Sequence, residues 1–314
     1  MSPGYTKENE YVHGLKRNVL SVRRSKRFRP DSVLWLAYVK VKTLLRCALT
    51  YSYELLVGHR QFLQLLRLRN TAKGRSALVL GNGPSLASMG AERLAAFIEG
   101  GGDVFGVNLW SENQDLRAIP PTYLAISDPN TLRGDRLDET MERLKQYLLA
   151  NPSIKILCPI KRCKDIGERF GAHRVIGFCD SDLRYWSRNI SPLLPRGYIS
   201  MTLYKALSVA AWLGYDRIYV LGMDNTYPRN VYCDRNNRIL NLEVHAGTKD
   251  YTNDIGDLYG GVGDLLHELA FLFYDAKKFA VNKGIRNLDP YSLTDAFVKT
   301  NIEELRPPAT PDGT

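Results

Sequence analysis

The sequence has little of what marks a secreted, membrane-spanning or metal-built protein. Its five cysteines (Cys47, Cys158, Cys163, Cys179, Cys233) are odd in number and form no CxxC pair. That argues against a disulfide framework or a zinc site and for a reducing compartment. The first thirty residues lack the apolar core and small-residue cleavage site of a signal peptide, because charges interrupt them throughout. No run of about eighteen apolar residues occurs, so no transmembrane helix is expected. GxGxxG, GxxxxGK[ST] and the GxSxG elbow are all missing, which excludes the standard dinucleotide, Walker and hydrolase fingerprints.

What is present is an ordinary globular composition with an uneven charge. The 314 residues are long enough for one large domain or two modest ones. Residues 1–75 hold 16 Lys/Arg against 4 Asp/Glu, whereas residues 76–314 hold 27 against 29. The basicity therefore belongs to the N-terminal segment. Residues 1–30 are polar and basic, and a flexible segment is expected there. From Asp31, a candidate N-cap, to about residue 73 the pattern is that of an amphipathic helix with interleaved Lys and Arg. Gly58-His59 is expected to break it into two helices. Two readings of residues 31–70 stand: peripheral contact with an anionic membrane, or packing against the main domain or another subunit of a homo-oligomer. Nucleic acid is not expected as a partner, since no binding motif accompanies the basic segment and the remainder is not basic.

The chain is organised around Ser76–Ser88. Ala77–Leu80 reads as a buried strand, Gly81-Asn82-Gly83-Pro84-Ser85 as a tight turn, and Leu86–Glu99 as a helix with Ser85 as N-cap. Glycines that admit a ligand, free amide N–H groups and a helix dipole make such a turn a candidate anion site. Further strands are expected at Val104–Leu109, Thr122–Ile126, Lys155–Pro159, Arg174–Phe178, Arg217–Leu221 and Gly284–Leu288. Helices are expected at Leu137–Ala150, Leu203–Leu213 and Leu265–Lys283. This alternation predicts an α/β, Rossmann-like domain over residues 74–303: a mostly parallel sheet with helices on both faces. Lid segments are expected near 180–200 and 228–263, and a disordered tail at 304–314. Ligands of such sheets sit beyond the strands' carboxyl ends, which picks out Asn82, Asn108, Asp128 and Asp224.

Several separated pieces agree further: GNGPSL (Gly81–Leu86), VNLW (Val107–Trp110), ISDPN (Ile126–Asn130), the run Tyr204–Tyr227 ending in LGMDNTY, and NLDPYSL (Asn287–Leu293). In this order and spacing the chain resembles the bacterial sialyltransferases with a modified, single-Rossmann GT-A fold. It also resembles the catalytic domains of motility-accessory flagellin glycosyltransferases. The resemblance covers about residues 76–300. It implies inverting transfer of a sialic-acid-like or Kdo-like sugar from a CMP-activated donor, with no metal or other cofactor required. The acceptor would be a bacterial surface glycan or glycolipid, and the enzyme cytoplasmic, peripheral at the inner membrane.

Residue by residue, the resemblance puts Gly81, Asn82, Gly83, Pro84 and Ser85 at the nucleotide, and Asn108 at a second donor contact. Asp128 stands where the family has asparagine. Ser200 and Thr202 fall at a helix N-terminus against the donor, Gly222 and Asp224 repeat a GxD turn, and Tyr227 and Tyr232 lie near two tyrosines that hold the leaving phosphate. The family's histidine base precedes the last long helix, where this chain reads Gly260-Gly261-Val262-Gly263-Asp264. His245 and Asp264 are the candidate bases, and a carboxylate works near neutral pH without tuning. Asp180-Ser181-Asp182 has the DxD spacing of metal-dependent glycosyltransferases, but reads more simply as a solvated turn. Other readings are a different nucleotide-sugar donor on the same fold, a pterin pyrophosphokinase-like phosphotransferase, or a non-catalytic nucleotide-binding relative.

Overall fold

A computed structural model of the chain describes residues 33–108, 110–127, 138–198, 201–243, 246, 251–255, 262–282 and 284–305. The basic segment 1–30 and the tail after 305 lie outside them. Six mostly buried runs and two short segments at one edge form eight strands, β1 (Ser76–Leu80), β2 (Asp103–Val107), β3 (Tyr123–Ala125), β4 (Lys155–Pro159), β5 (Val175–Phe178), β6 (Arg217–Leu221), β10 (Ile285–Asn287) and the exposed β11 (Val298–Lys299). All pairings between them are parallel, in the spatial order β11-β10-β6-β1-β2-β3-β4-β5. The chain thus leaves β1 in one direction as far as β5 and then returns to pair β6 with β1's other edge. The reversal falls between β1 and β6, the place where open α/β sheets bind ligands.

Both faces of the inner part of the sheet are covered, which is why β1, β4, β5 and β6 read as near-continuous apolar runs rather than alternating ones. Ala77 and Val79 of β1 face one core, with Leu203 and Leu207 of α5 (Thr202–Leu213). Leu78 and Leu80 face the other, with Leu94 and Phe97 of α2 (Ala91–Glu99) and Leu144 and Leu148 of α3 (Asp138–Ala150). Ten of the twelve residues of α5 are buried, as its nearly uninterrupted apolar sequence requires.

Three local expectations are corrected. The segment after Asp31 is one helix, α1 (Val33–Leu68), unbroken at Gly58. A Cβ on Gly58 would stand 2.2 Å from Ile160 Cγ2, so this glycine serves close packing instead of ending the helix. The expected helix Leu86–Glu99 is a 3-10 turn, Pro84–Ser88, followed by α2 from Ala91, and Gly83 rather than Ser85 precedes that turn. Three features went unanticipated: α4 (Cys163–Phe170), the edge strand β11, and a small antiparallel sheet of β7 (Val231–Cys233), β8 (Ile239–Glu243) and β9 (Tyr251–Asp254). The last long helix is α6 (Val262–Phe279).

Along α1 the buried residues Val39, Thr43, Cys47, Glu54, Gly58 and Leu65 form one stripe against the domain. Glu54, 2% exposed, accepts hydrogen bonds from Cys179 Sγ (3.1 Å), Asp180 N–H (3.1 Å) and Ser181 Oγ (2.9 Å). Burial raises its carboxyl pKa, and those donors oppose the rise. Trp212 Nε1 donates to Leu65 O (2.7 Å), tying the helix to α5. All five cysteines are free thiols.

Candidate active site

Two turns cross at the sheet's reversal point. Gly81 N–H donates to Leu221 O (2.8 Å) and Gly83 N–H to Gly222 O (3.0 Å). Ser85 donates to Asp224 twice, from its backbone N–H to Oδ1 and from its hydroxyl to Oδ2, both at 2.9 Å. Gly222 N–H completes the circuit by donating to Ser85 Oγ at 3.0 Å. A Cβ on Gly81 would lie 2.3 Å from Gly222 O, and one on Gly83 2.0 Å from Asp224 Oδ2. The glycines are required because the two backbones touch.

This arrangement corrects the expected anion cradle. The amides of Gly81, Gly83, Ser85 and Leu86 are spent inside the protein, and α2 begins several residues downstream. The turn is a close-packed floor rather than a row of free N–H groups. Asp224 braces that floor. Burial pushes its carboxyl up, and the two bonds from Ser85 oppose the shift.

The second corner forms where β2 and β3 end. Asn108 Nδ2 donates to Thr202 Oγ1 (3.0 Å), and the Thr202 and Ser127 hydroxyls are 2.8 Å apart. Lys205, one turn along α5, donates from Nζ to Ser127 Oγ (3.0 Å) and lies 3.5 Å from Asp180 Oδ1. Arg196 (2.9 Å) and Lys161 (3.2 Å) also contact the Asp180 carboxylate. Burial pushes Lys205 down to about 8 while Asp180 pulls it back up. Burial acts on Asp180 in the opposite sense and would raise it, but Arg196, Lys205 and Lys161 together hold it below the ordinary carboxylate range. Asp180 of the DxD is therefore engaged by three cations, and Asp182 Oδ1 accepts Arg184 N–H at 2.9 Å. Among the described residues no group of three His, Cys, Asp or Glu is arranged to hold a metal.

Between the two corners lies a cleft of about 310 Å³. Asn82, Asn108, Thr202, Asp224 and Tyr227 line it, together with Gly81, Gly83, Pro84 and Gly222. Asn225, Thr226, Asn230 and Met201 add to its polar and strained rim, and Leu242, Leu272, Val107 and Leu203 form its apolar side; none of these eight was singled out as a site residue. The backbone supplies an independent sign. Five described non-glycine residues have left-handed φ, and three of them, Asn108 (+42°), Met201 (+40°) and Asn225 (+50°), line this cleft. Such conformations cost about 1–3 kcal/mol and cluster where function demands a geometry.

The small sheet reaches the same place. Ala246 N–H donates to Asn82 O (3.0 Å), and Leu242 of β8 faces the cleft. Ser85 does not line the cleft; it is turned to Asp224. Tyr232, 47% exposed on β7, does not line the cleft. Asp128, Ser200 and His245 lie outside the described residues, and so does the side chain of Asp264 in the first turn of α6. Lys205 was missed although its signal was present: one lysine inside an apolar helix is either paired or functional.

No protein-family model and no curated protein matches the chain. Among solved structures, the MAf glycosyltransferase from Magnetospirillum magneticum AMB-1 is similar at 11% identity and a TM-score of 0.46, over 84% of this chain and 40% of that one. The chain thus spans two fifths of that protein's length. The sialyltransferase CstII from Campylobacter jejuni in complex with cytidine-5'-monophosphate is similar at 17% identity and a TM-score of 0.40, over 72% of this chain and 84% of that one. Its complex with CMP-3FNeuAc gives 17% and 0.38, over 72% and 86%.

Proposed function

We propose that this chain is an inverting, metal-independent glycosyltransferase that moves an acidic, sialic-acid-like or Kdo-like sugar from a CMP-activated donor to a bacterial surface glycan or glycolipid. One observation carries the reading. Asn82, Asn108, Thr202, Asp224 and Tyr227, singled out by motif from separate segments, all line one cleft at the sheet's reversal point.

In this reading the Asn82 and Asn108 amides grip the nucleotide, since each can donate and accept. The braced floor of Gly81–Ser85 and Gly222–Asp224 fixes their positions before substrate arrives, so little orientation is lost on binding. The acceptor hydroxyl attacks the anomeric carbon from the face opposite the phosphate and gives its proton to a base. The bond from that carbon to the phosphate oxygen breaks, and its electron pair leaves with CMP. The transition state is oxocarbenium-like. Tyr227 is the hydroxyl in the cleft suited to the departing phosphate. His245 and Asp264 remain the candidates for the base.

Thermal unfolding with CMP, UDP, GDP and ATP, each with and without EDTA, tests the donor. Saturating CMP at a hundredfold excess over its Kd is expected to stabilise the protein by about 2.7 kcal/mol, undiminished by EDTA. Asn82→Ala is expected to abolish the CMP response while leaving the ligand-free Tm unchanged. A response confined to UDP, GDP or ATP with magnesium overturns the CMP donor.

A further inference from the structure

Opposite its packed stripe, α1 shows a predominantly apolar face, interrupted by Ser52 and His59. Val41, Leu45, Leu49, Leu56 and Leu63, spaced at four and seven residues, are each more than half exposed, with Leu56 at 79% and Leu49 at 76%. Exposed Lys42, Arg46, Arg60 and Arg67 border this face. The one acidic residue of the helix, Glu54, is buried on the packed side. The outward surface thus combines apolar and basic side chains over 36 residues, about 54 Å of helix at 1.5 Å per residue.

We infer that this face of α1 docks in the plane of an anionic lipid bilayer. Exposed leucine in such a patch marks an interaction surface. An apolar face bordered by Lys and Arg matches a membrane interface, where acyl chains take the leucines and phosphates take the cations. Charge favours the bilayer over a second copy of the chain. Two α1 faces brought together would set basic edges against each other, and α1 offers no exposed carboxylate to pair with them. No described helix is long and apolar enough to cross a membrane, so the contact is parallel to the surface.

The docked helix also orients the cleft. Its contacts run from Gln61, which accepts Gly177 N–H inside β5, to Glu54 on the turn after β5, to Lys40 O, which accepts Trp186 Nε1. The amino-terminal half of α1 therefore extends past the carboxyl end of the parallel sheet, the end on which the cleft opens. Docking sets that end beside the bilayer, within reach of an acceptor anchored in lipid. This last clause rests on the proposed reaction; the docking itself does not.

Co-sedimentation of the full chain with vesicles tests it without any nucleotide. Vesicles of phosphatidylglycerol and phosphatidylethanolamine in equal parts are compared with vesicles of phosphatidylcholine alone. The wild type is expected to partition at least tenfold more strongly to the anionic vesicles. Leu45→Ser/Leu49→Ser/Leu56→Ser is expected to lose at least tenfold in that binding, and Lys42→Ser/Arg46→Ser/Arg60→Ser to lose the preference for anionic lipid. Both variants keep the wild-type Tm, since neither touches the packed stripe. Equal weak partitioning of the wild type to both vesicles overturns the proposal. So does a wild-type dimer without vesicle binding that the leucine variant converts to monomer, because a second copy then covers the face.

Discussion

Two turns at the carboxyl end of the sheet are held by opposite means. Where β1 and β6 end, Gly81, Gly83 and Gly222 let main chains meet, and Asp224 is satisfied by the uncharged donors of Ser85. Where β5 ends, Asp180 meets Arg196, Lys205 and Lys161, and Lys205 in turn supports Ser127 beside the Asn108–Thr202 corner. The first device has no slack, because atoms already in contact leave no space for another carbon. The second is adjustable, because its strength depends on which groups carry a proton. A cleft that must hold its ligand in one geometry gains from the first, and the second makes its flank sensitive to pH.

The sharpest way to break the contrast is Gly222→Ala. The residue has φ +73°, and a Cβ would stand 2.4 Å from Gly81 O. A left-handed alanine and a backbone clash together should cost about 3 kcal/mol or more. Chemical denaturation is expected to show that loss, along with loss of the CMP response. A variant of wild-type stability would mean that the turns do not touch. Asp224→Ala should act more gently. It removes both acceptors of Ser85 and leaves a partly buried N–H unpaired, for about 2 kcal/mol. Its CMP affinity should fall with stability, as befits a brace; an affinity loss at unchanged stability would make Asp224 a direct ligand contact.

The same contrast explains what was legible in the sequence. Strands were legible because both faces of a parallel sheet are covered, so β1, β4 and β6 read as plain apolar runs. Asn82 and Asn108 followed from them by the rule of carboxyl ends. Ser85 misled because its hydroxyl serves Asp224, 139 residues away, rather than the first turn of a helix. No local capping rule sees such a partner. Gly58 misled for a related reason: its missing side chain answers to Ile160 on another element. Lys205 and Glu54 were different, since Lys205 is the one charge of an apolar helix and Glu54 the one carboxylate of a basic one, and burial with partners is the common explanation of such a residue. The strands of the small sheet β7–β9 are only three to five residues long, which leaves periodicity little to report.

Lys205 gives the mildest test and bears on the adjustable half of the comparison. In the unfolded chain it titrates near the ordinary lysine value of about 10.4; in the fold, burial pushes it down to about 8. Between those values the unfolded state binds more protons than the native state, so stability rises with pH through the window and is lost as pH falls through 8. Lys205→Met removes the titration and leaves Asp180 with Arg196 and Lys161. Relative to this variant, the wild type should therefore gain about 1 kcal/mol between pH 7 and pH 9, read as a difference between two denaturation curves at each pH. A difference that stays flat across that range would mean that Lys205 is charged equally in both states. The cluster behind β5 would then be as unyielding as the glycine floor beside it.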